Sequence, residues 1–440
     1  VILVVLTALL GNVPGPTVLR VEPFPLPEAA EVVATVTARC DRCAWGTRGR
    51  EAAVLRLELD GRTSQHLVLS RGSGEYAVAL GPVLAGSHLL AISLDGAASA
   101  RGARGVTVAA VTVRPVPRGA AEHDGLAHAP VLHLRPDTLP RFTDLPLLMW
   151  YETDALPDGG RRLRYSVIFS NEDGGTPPDR LMATWGRVTD IEYVYGVELD
   201  ASGQVTREQY QGPDHALLAF TGRHEGRHPV LWVTTRNNMV EPAGRTAARV
   251  GLVPVPFDLE GTSREAVMDA HPWTYQVSAA EVRREGRVKA GARLGSKRIP
   301  DPRRFAYLEA CADMKDAALA FAVGVRGRDG RTQWLWSDGG ALAWRISRSP
   351  DHFPNGCFRG AVALPAWAKP ADVGGLRFRS YPRGGEPPPP PGAGSARVLR
   401  VNRLFLLRDD DTPAPRLFSW SGDLPMASGG DPVQPGDARR

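Results

Sequence analysis

A chain of 440 residues, 43% apolar and 23% charged, is long enough for several hydrophobic cores and has the composition of an ordinary globular protein. Its net charge of +5 rests on arginines interleaved with acids, and no basic block marks a nucleic-acid partner. With 47 glycines and 38 prolines, short strands joined by turns are favoured, and the expected fold class is mainly β: tandem antiparallel β-sandwich (jelly-roll-like) domains with a few short helices between them.

In chain order, residues 1–17 open on the apolar run Val1 to Leu10, which has signal-peptide length and is too short for a membrane span. Export to the extracellular space is the expectation, with no transmembrane segment in the mature chain; a buried first strand is the alternative. From 18 to 118, alternating β-branched runs break at Gly, Ser and Asp turns about ten residues apart, the spacing of a sandwich. Cys40 and Cys43 lie here, and Cys311 and Cys357 far beyond. The economical pairing joins Cys40 to Cys43 and Cys311 to Cys357, among three possible connectivities. Strand-like runs on both sides of the C-x-x-C argue against a redox motif, which opens a helix.

Residues 118–125 read as a polar linker and 126–258 as a central β unit. In the connector at 259–300, Thr262 to Glu265 and Ser278 to Glu281 fit the capping box, each opening a short helix, the second charged and on the surface. Strands return over 301–410, where Glu386 to Pro391 form an exposed hairpin loop. Trp334, Trp336 and Trp344 either stack a sugar or fill a core. Residues 411–440 lose periodicity and read as an irregular tail.

The chemistry-bearing residues concentrate between Leu163 and Val240. His224-Glu225-Gly226-Arg227-His228 spells a zinc-protease motif, which requires both histidines on one helix face. An interior glycine, the following Pro229 and strand-like flanks predict a hairpin instead. The better candidates are Asp190 and Glu192, placed by strand periodicity on one face about 6–7 Å apart, a spacing compatible with acid/base work on a glycosidic bond. Asp173, in the polar turn after Tyr165 to Phe169, and Trp185 and Asn237 complete the expected ligand-binding set. Asp190 and Glu192, with His224 and His228, are also the candidate ligands of a divalent cation, calcium or magnesium before zinc. A surface face of the sheet is the alternative for the carboxylates.

Two resemblances bear on these residues. The Asp-Gly turns, Leu84 to His88 and Gly105 to Val113 are similar to galactose-binding-like jelly rolls and carbohydrate-binding modules. From His128 to Val240 the chain resembles Vps62-like proteins and the necrosis-inducing, NPP1-like secreted proteins, through His128 to Leu134, the Gly186-x-x-x-Asp190-x-Glu192 strand and His228 to Val233. The second resemblance implies a cation held by the carboxylates and a heptapeptide histidine for binding glycolipid heads. Here Arg187 and Thr189 stand where that group has histidines and Ile191 where it has Trp, so the histidine ligand is missing unless His224 or His228 replaces it. The functional expectation is a secreted β protein binding a glycan or lipid headgroup, without a catalytic motif. The alternatives are a carbohydrate-active hydrolase or lyase using Asp190 and Glu192 or Asp173, and a metal-dependent hydrolase through His224 and His228.

Overall fold

The computed structural model describes residues 17–292, 295–347, 356–383 and 394–435. The apolar run at 1–10 and the proline run at 386–391 lie outside the described residues.

Seven strands come first: β1 (Thr17–Leu26), β2 (Ala30–Cys40), β3 (Val54–Leu59), β4 (Thr63–Val68), β5 (Gly74–Val83), β6 (Gly86–Leu94) and β7 (Val106–Val116). They build two antiparallel sheets, β1-β6-β3-β4 and β5-β2-β7. Period-two alternation puts Val32, Ala34 and Val36 of β2 into one core with Leu55 and Leu57 of β3 and Ile92 of β6.

The central part comprises α1 (His123–Ala127), β8 (Val131–His133), α2 (Thr138–Arg141), β9 (Pro146–Ala155), β10 (Arg161–Phe169), α3 (Pro178–Trp185), β11 (Asp190–Leu199), β12 (Val205–Gln211), β13 (Leu217–Ala219), β14 (His224–Glu225), β15 (His228–Val233), β16 (Val240–Glu241), β17 (Arg249–Val250) and β18 (Val255–Pro256). A six-stranded sheet, β13-β12-β11-β10-β9-β18, packs on a second, β14-β15-β8-β17, with β16 beside β15. Each contains one parallel pair, β9 with β18 and β8 with β15. Leu163, Tyr165 and Val167 of β10 enter the core between the sheets with Leu132 and Leu231. The alternate residues Arg162, Arg164 and Ser166 face away from it.

The last third contains α4 (Ala266–Ala270), α5 (Trp273–Arg284), β19 (Phe305–Lys315), β20 (Ala317–Arg326), β21 (Thr332–Trp336), β22 (Ile346–Ser347), β23 (Cys357–Ala363), β24 (Val373–Pro382), β25 (Ser395–Phe405) and β26 (Phe418–Ala427). Its sheets are β23-β19-β25-β26 and a four-stranded one in which β20 pairs with β21, β22 and β24. Between them lie Leu308, Phe321, Phe378 and Val401.

Three local expectations are corrected. The helix expected to open at Ser278 begins at Trp273, and the Ser278 hydroxyl donates to Thr274 O inside it (2.9 Å). Nor does that helix lie on the surface: Glu281, Val282 and Arg284 are buried, because α4 and α5 fill the space between the central sheet and β19, β23 and β25. The tail at 411–440 was expected to be irregular, yet β26 adds to β25 as an edge strand. Its mostly exposed side chains explain why no apolar alternation marks it.

Both disulfides form as the economical pairing requires. Cys40 and Cys43 close the turn after β2, and Cys311 and Cys357 face each other across β19 and β23.

Candidate functional site

The outward face of β10 and of its neighbour β11 is roofed by α3, leaving a cavity of about 500 Å3. α3 lacked any apolar period clear enough to read, but its signals are in the sequence: Pro178 at the first turn, and Gly186 after the last. Gly186 takes φ +59, and a Cβ there would press on the Arg359 side chain and the Gly360 backbone, so glycine both ends the helix and lets it sit on β23.

β11 brings Asp190 and Glu192 to this cavity as strand periodicity predicts, and Trp185 and Asn237 line it with them. Asp173 does not. Its carboxylate turns to the other side and is held by Arg135 (3.1 Å), Arg141 (2.8 Å), Arg287 (3.0 Å) and the Thr143 hydroxyl (3.0 Å). The carboxyl that does enter from that turn is Glu172, which sequence reasoning passed over. Gly175, at φ +108, allows this: a Cβ there would collide with Glu172 Oε1, and the chain instead folds back so that the Thr176 N–H donates to that oxygen (2.5 Å).

The three carboxyl groups are held differently. Asp190 accepts from the Asn238 amide (3.0 Å) and its neighbour's N–H (2.9 Å), with Arg187 at 3.6 Å. Burial, and then the like charge of Asp190, pushes Glu172 up to about 8 and Glu192 well above the usual carboxylate range. His215, on the loop before β13, stands 3.9 Å from Glu192. Arg187, where the resembling family has a histidine, is bound to Glu265 (3.1 Å) with both side chains buried, and Thr189 donates to the Met268 sulfur (3.4 Å). Those two positions tie α4 to the start of β11.

Two arginines, Arg180 and Arg264, also line the cavity. Arg180 Nε and Arg264 Nε are buried with no hydrogen-bond partner among the described residues. Gln209, Gln211, Tyr193 and Ser166 add amide and hydroxyl groups to the lining.

His224 and His228 do not join this set. They lie on the second sheet, at the hairpin β14–β15 that the sequence predicts, with Gly226 at φ +64 in its turn. His224 Nε2 is 2.7 Å from Glu208, while His228 uses both ring nitrogens, on Ala129 O (2.8 Å) and Glu31 (2.9 Å). The core between the sheets separates them from Asp190 and Glu192. The expectation that these four residues share a calcium, magnesium or zinc ion is therefore corrected, and among the described residues no three His, Cys, Asp or Glu side chains are disposed to hold a metal. The helical zinc-protease geometry is absent for the same reason. No described helix is long and apolar enough to cross a membrane.

No protein-family model matches this sequence, and no curated protein matches it. A solved structure described as NLPPya in complex with mannosamine aligns at a TM-score of 0.24 and 10% identity, over 33% of this chain and 76% of the other. Superposition that loose carries no argument about activity.

Proposed function

We infer that this is a glycan-binding β protein whose central cavity receives a sugar-sized ligand, free or as the head of a glycolipid. The observation that carries the reading is the cavity itself. Its volume of about 500 Å3 suits a small ligand, and its lining alternates carboxyl, guanidinium, amide and hydroxyl groups beside the Trp185 ring. Vicinal hydroxyls need such mixed donors and acceptors, and the Arg180 and Arg264 side chains are among those that line the cavity. The two disulfides fit an oxidising compartment outside the cell.

Glycan-array binding followed by calorimetry tests it, with glycolipid vesicles as a parallel arm. Binding should weaken at least tenfold in Glu192→Ala, which removes the carboxyl group from the lining, and in Arg264→Gln, which loses about one charge-assisted hydrogen bond. Absence of binding to every glycan and vesicle sinks the reading.

Cleavage of a glycosidic bond is a second reading, favoured by Glu172 alone. A carboxyl with its pKa pushed up to about 8 keeps its proton at neutral pH and can hand it to a leaving oxygen, with a neighbouring carboxylate directing water. Release of reducing ends that survives in Glu172→Gln would exclude that role.

A further inference from the structure

A second cavity of about 500 Å3 lies across α3 from the first. The helix divides its side chains between the two, sending Arg180, Leu181 and Trp185 to one and Asp179, Met182 and Ala183 to the other. Opposite α3 stand β21 and the turn that follows it, Trp334 to Gly340, with Arg379 and Tyr381 of β24 completing the lining. On its outer face β20 presents the small residues Ala318, Ala320, Ala322 and Gly324 before Arg326 ends the strand, whereas Leu319, Phe321 and Val323 point into the core. Register sets Trp334 beside Gly324 and Trp336 beside Ala322 on one flank, and Arg379 beside Ala320 and Tyr381 beside Ala318 on the other. Small residues in the middle strand let these large side chains converge.

Their partners differ. The Arg377 guanidinium covers Trp334 at 3.9 Å and Arg345 covers Tyr381 at 3.5 Å. Trp336 lines the cavity with neither a ring nor a guanidinium over it among the described residues. The carboxylates of the lining are engaged: Asp338 pairs with Arg345 (2.9 Å), and Asp179 accepts from the N–H groups of Arg180 (3.0 Å) and Gly295. The cations are not neutralised in the same way. Arg379 spends Nε on Gly430 O (3.1 Å), and Arg298 has no ion pair among the described residues.

An uncovered indole face, two guanidinium groups and no unengaged carboxylate make a site for a ring with an apolar face and an anionic substituent. We propose that this second cavity binds an acidic saccharide residue, its ring lying on Trp336 and its carboxylate or sulfate on Arg298 and Arg379. The site is separate from the central cavity and does not depend on what that cavity takes.

The test uses the full chain on an array of uronate, sialylated and sulfated glycans beside their neutral counterparts, then calorimetry with the strongest acidic binder. Wild type should prefer the acidic forms, with affinity falling as salt rises. Arg379→Gln and Trp336→Ala should each weaken it at least tenfold. Trp336→Phe, which keeps a ring, should retain most of it at unchanged melting temperature, separating loss of the site from loss of the fold. Glu192→Ala in the central cavity should leave this binding unaltered. Failure of wild type to retain any acidic glycan overturns the proposal. So do wild-type affinity in Arg379→Gln, or loss that follows Glu192→Ala instead.

Discussion

Glu172 and Asp173 are adjacent in the chain and meet opposite surroundings. Asp173 lies among three guanidinium groups and a hydroxyl, every oxygen engaged. Glu172 faces a cavity where the Asp190 carboxylate acts on it more strongly than the Arg187 guanidinium, and burial and Asp190 push its pKa up to about 8. One residue ties α2 and the chain after α5 to the central turn; the other waits in a place suited to a ligand. The same polar turn thus places one side chain in an ion cluster and the next in a cavity, and charge type alone does not tell them apart.

The largest expected effect breaks the structural half. Asp173→Ala strips Arg135, whose side chain is 5% exposed, of one of its anions, and Arg287 of another. Removing one partner from a buried ion cluster costs about 3–5 kcal/mol, so chemical denaturation should show a loss of that order. A loss under about 1 kcal/mol would mean that the cluster is as weak as a surface pair.

Glu172 should act through pH. Its pKa is raised from 4.5 when unfolded to about 8 in the fold, so between those values the native state holds the extra proton. Its stabilising contribution is full below pH 4.5 and is lost as pH climbs through about 8, on the order of 5 kcal/mol. Glu172→Gln keeps the shape and has no proton to lose. Melting curves from pH 5 to 9 should therefore fall less steeply with rising pH than those of wild type, and parallel slopes would place Glu172 in solvent.

His128 provides the opposite slope. Neither ring nitrogen has a hydrogen-bond partner among the described residues, and burial first, then the Arg227 charge, lower its pKa from 6.5 to about 4. The folded state holds it neutral, so stability is full above pH 6.5 and is lost as pH falls toward 4, by about 3 kcal/mol. His128→Phe should flatten the acid limb of the same melting profile while leaving the alkaline limb to Glu172. An unchanged acid limb would show that His128 is charged or solvated in the native state.

These contrasts also show what the sequence can and cannot convey. Alternation in β2, β10 and β20 was legible because one face of each strand enters a core, so polarity reports side. The same rule brought Asp190 and Glu192 to one cavity. It could not choose between Glu172 and Asp173, since in a turn the direction of each side chain depends on distant partners such as Arg135 and Arg287. α3 was missed although Pro178 and Gly186 bracket it, because eight residues make only about two turns, too few for a helical period to stand out from the strand that follows. The charged end of α5 misled for another reason: Glu281 is buried against the Trp45 indole (3.1 Å), and Arg284 against Trp45 O (2.8 Å), partners more than 200 residues away in sequence.

The smallest effects separate the two histidines of the motif. His228 is buried and bonded at both ring nitrogens, so His228→Ala leaves Glu31 and Ala129 O without that partner, at about 1–3 kcal/mol. His224 is partly exposed, with one contact to Glu208 and an edge-on Phe220 ring at 5.1 Å, and His224→Ala should cost under about 1 kcal/mol. A shared metal ion would make the two losses similar and would make a chelator imitate both. The hairpin predicts unequal losses and a melting temperature that does not move with chelator, since no ring nitrogen of His228 remains to bind a metal. Equal losses together with a chelator-sensitive melt would return the metal to the hairpin and reduce the central cavity to one of two candidate sites.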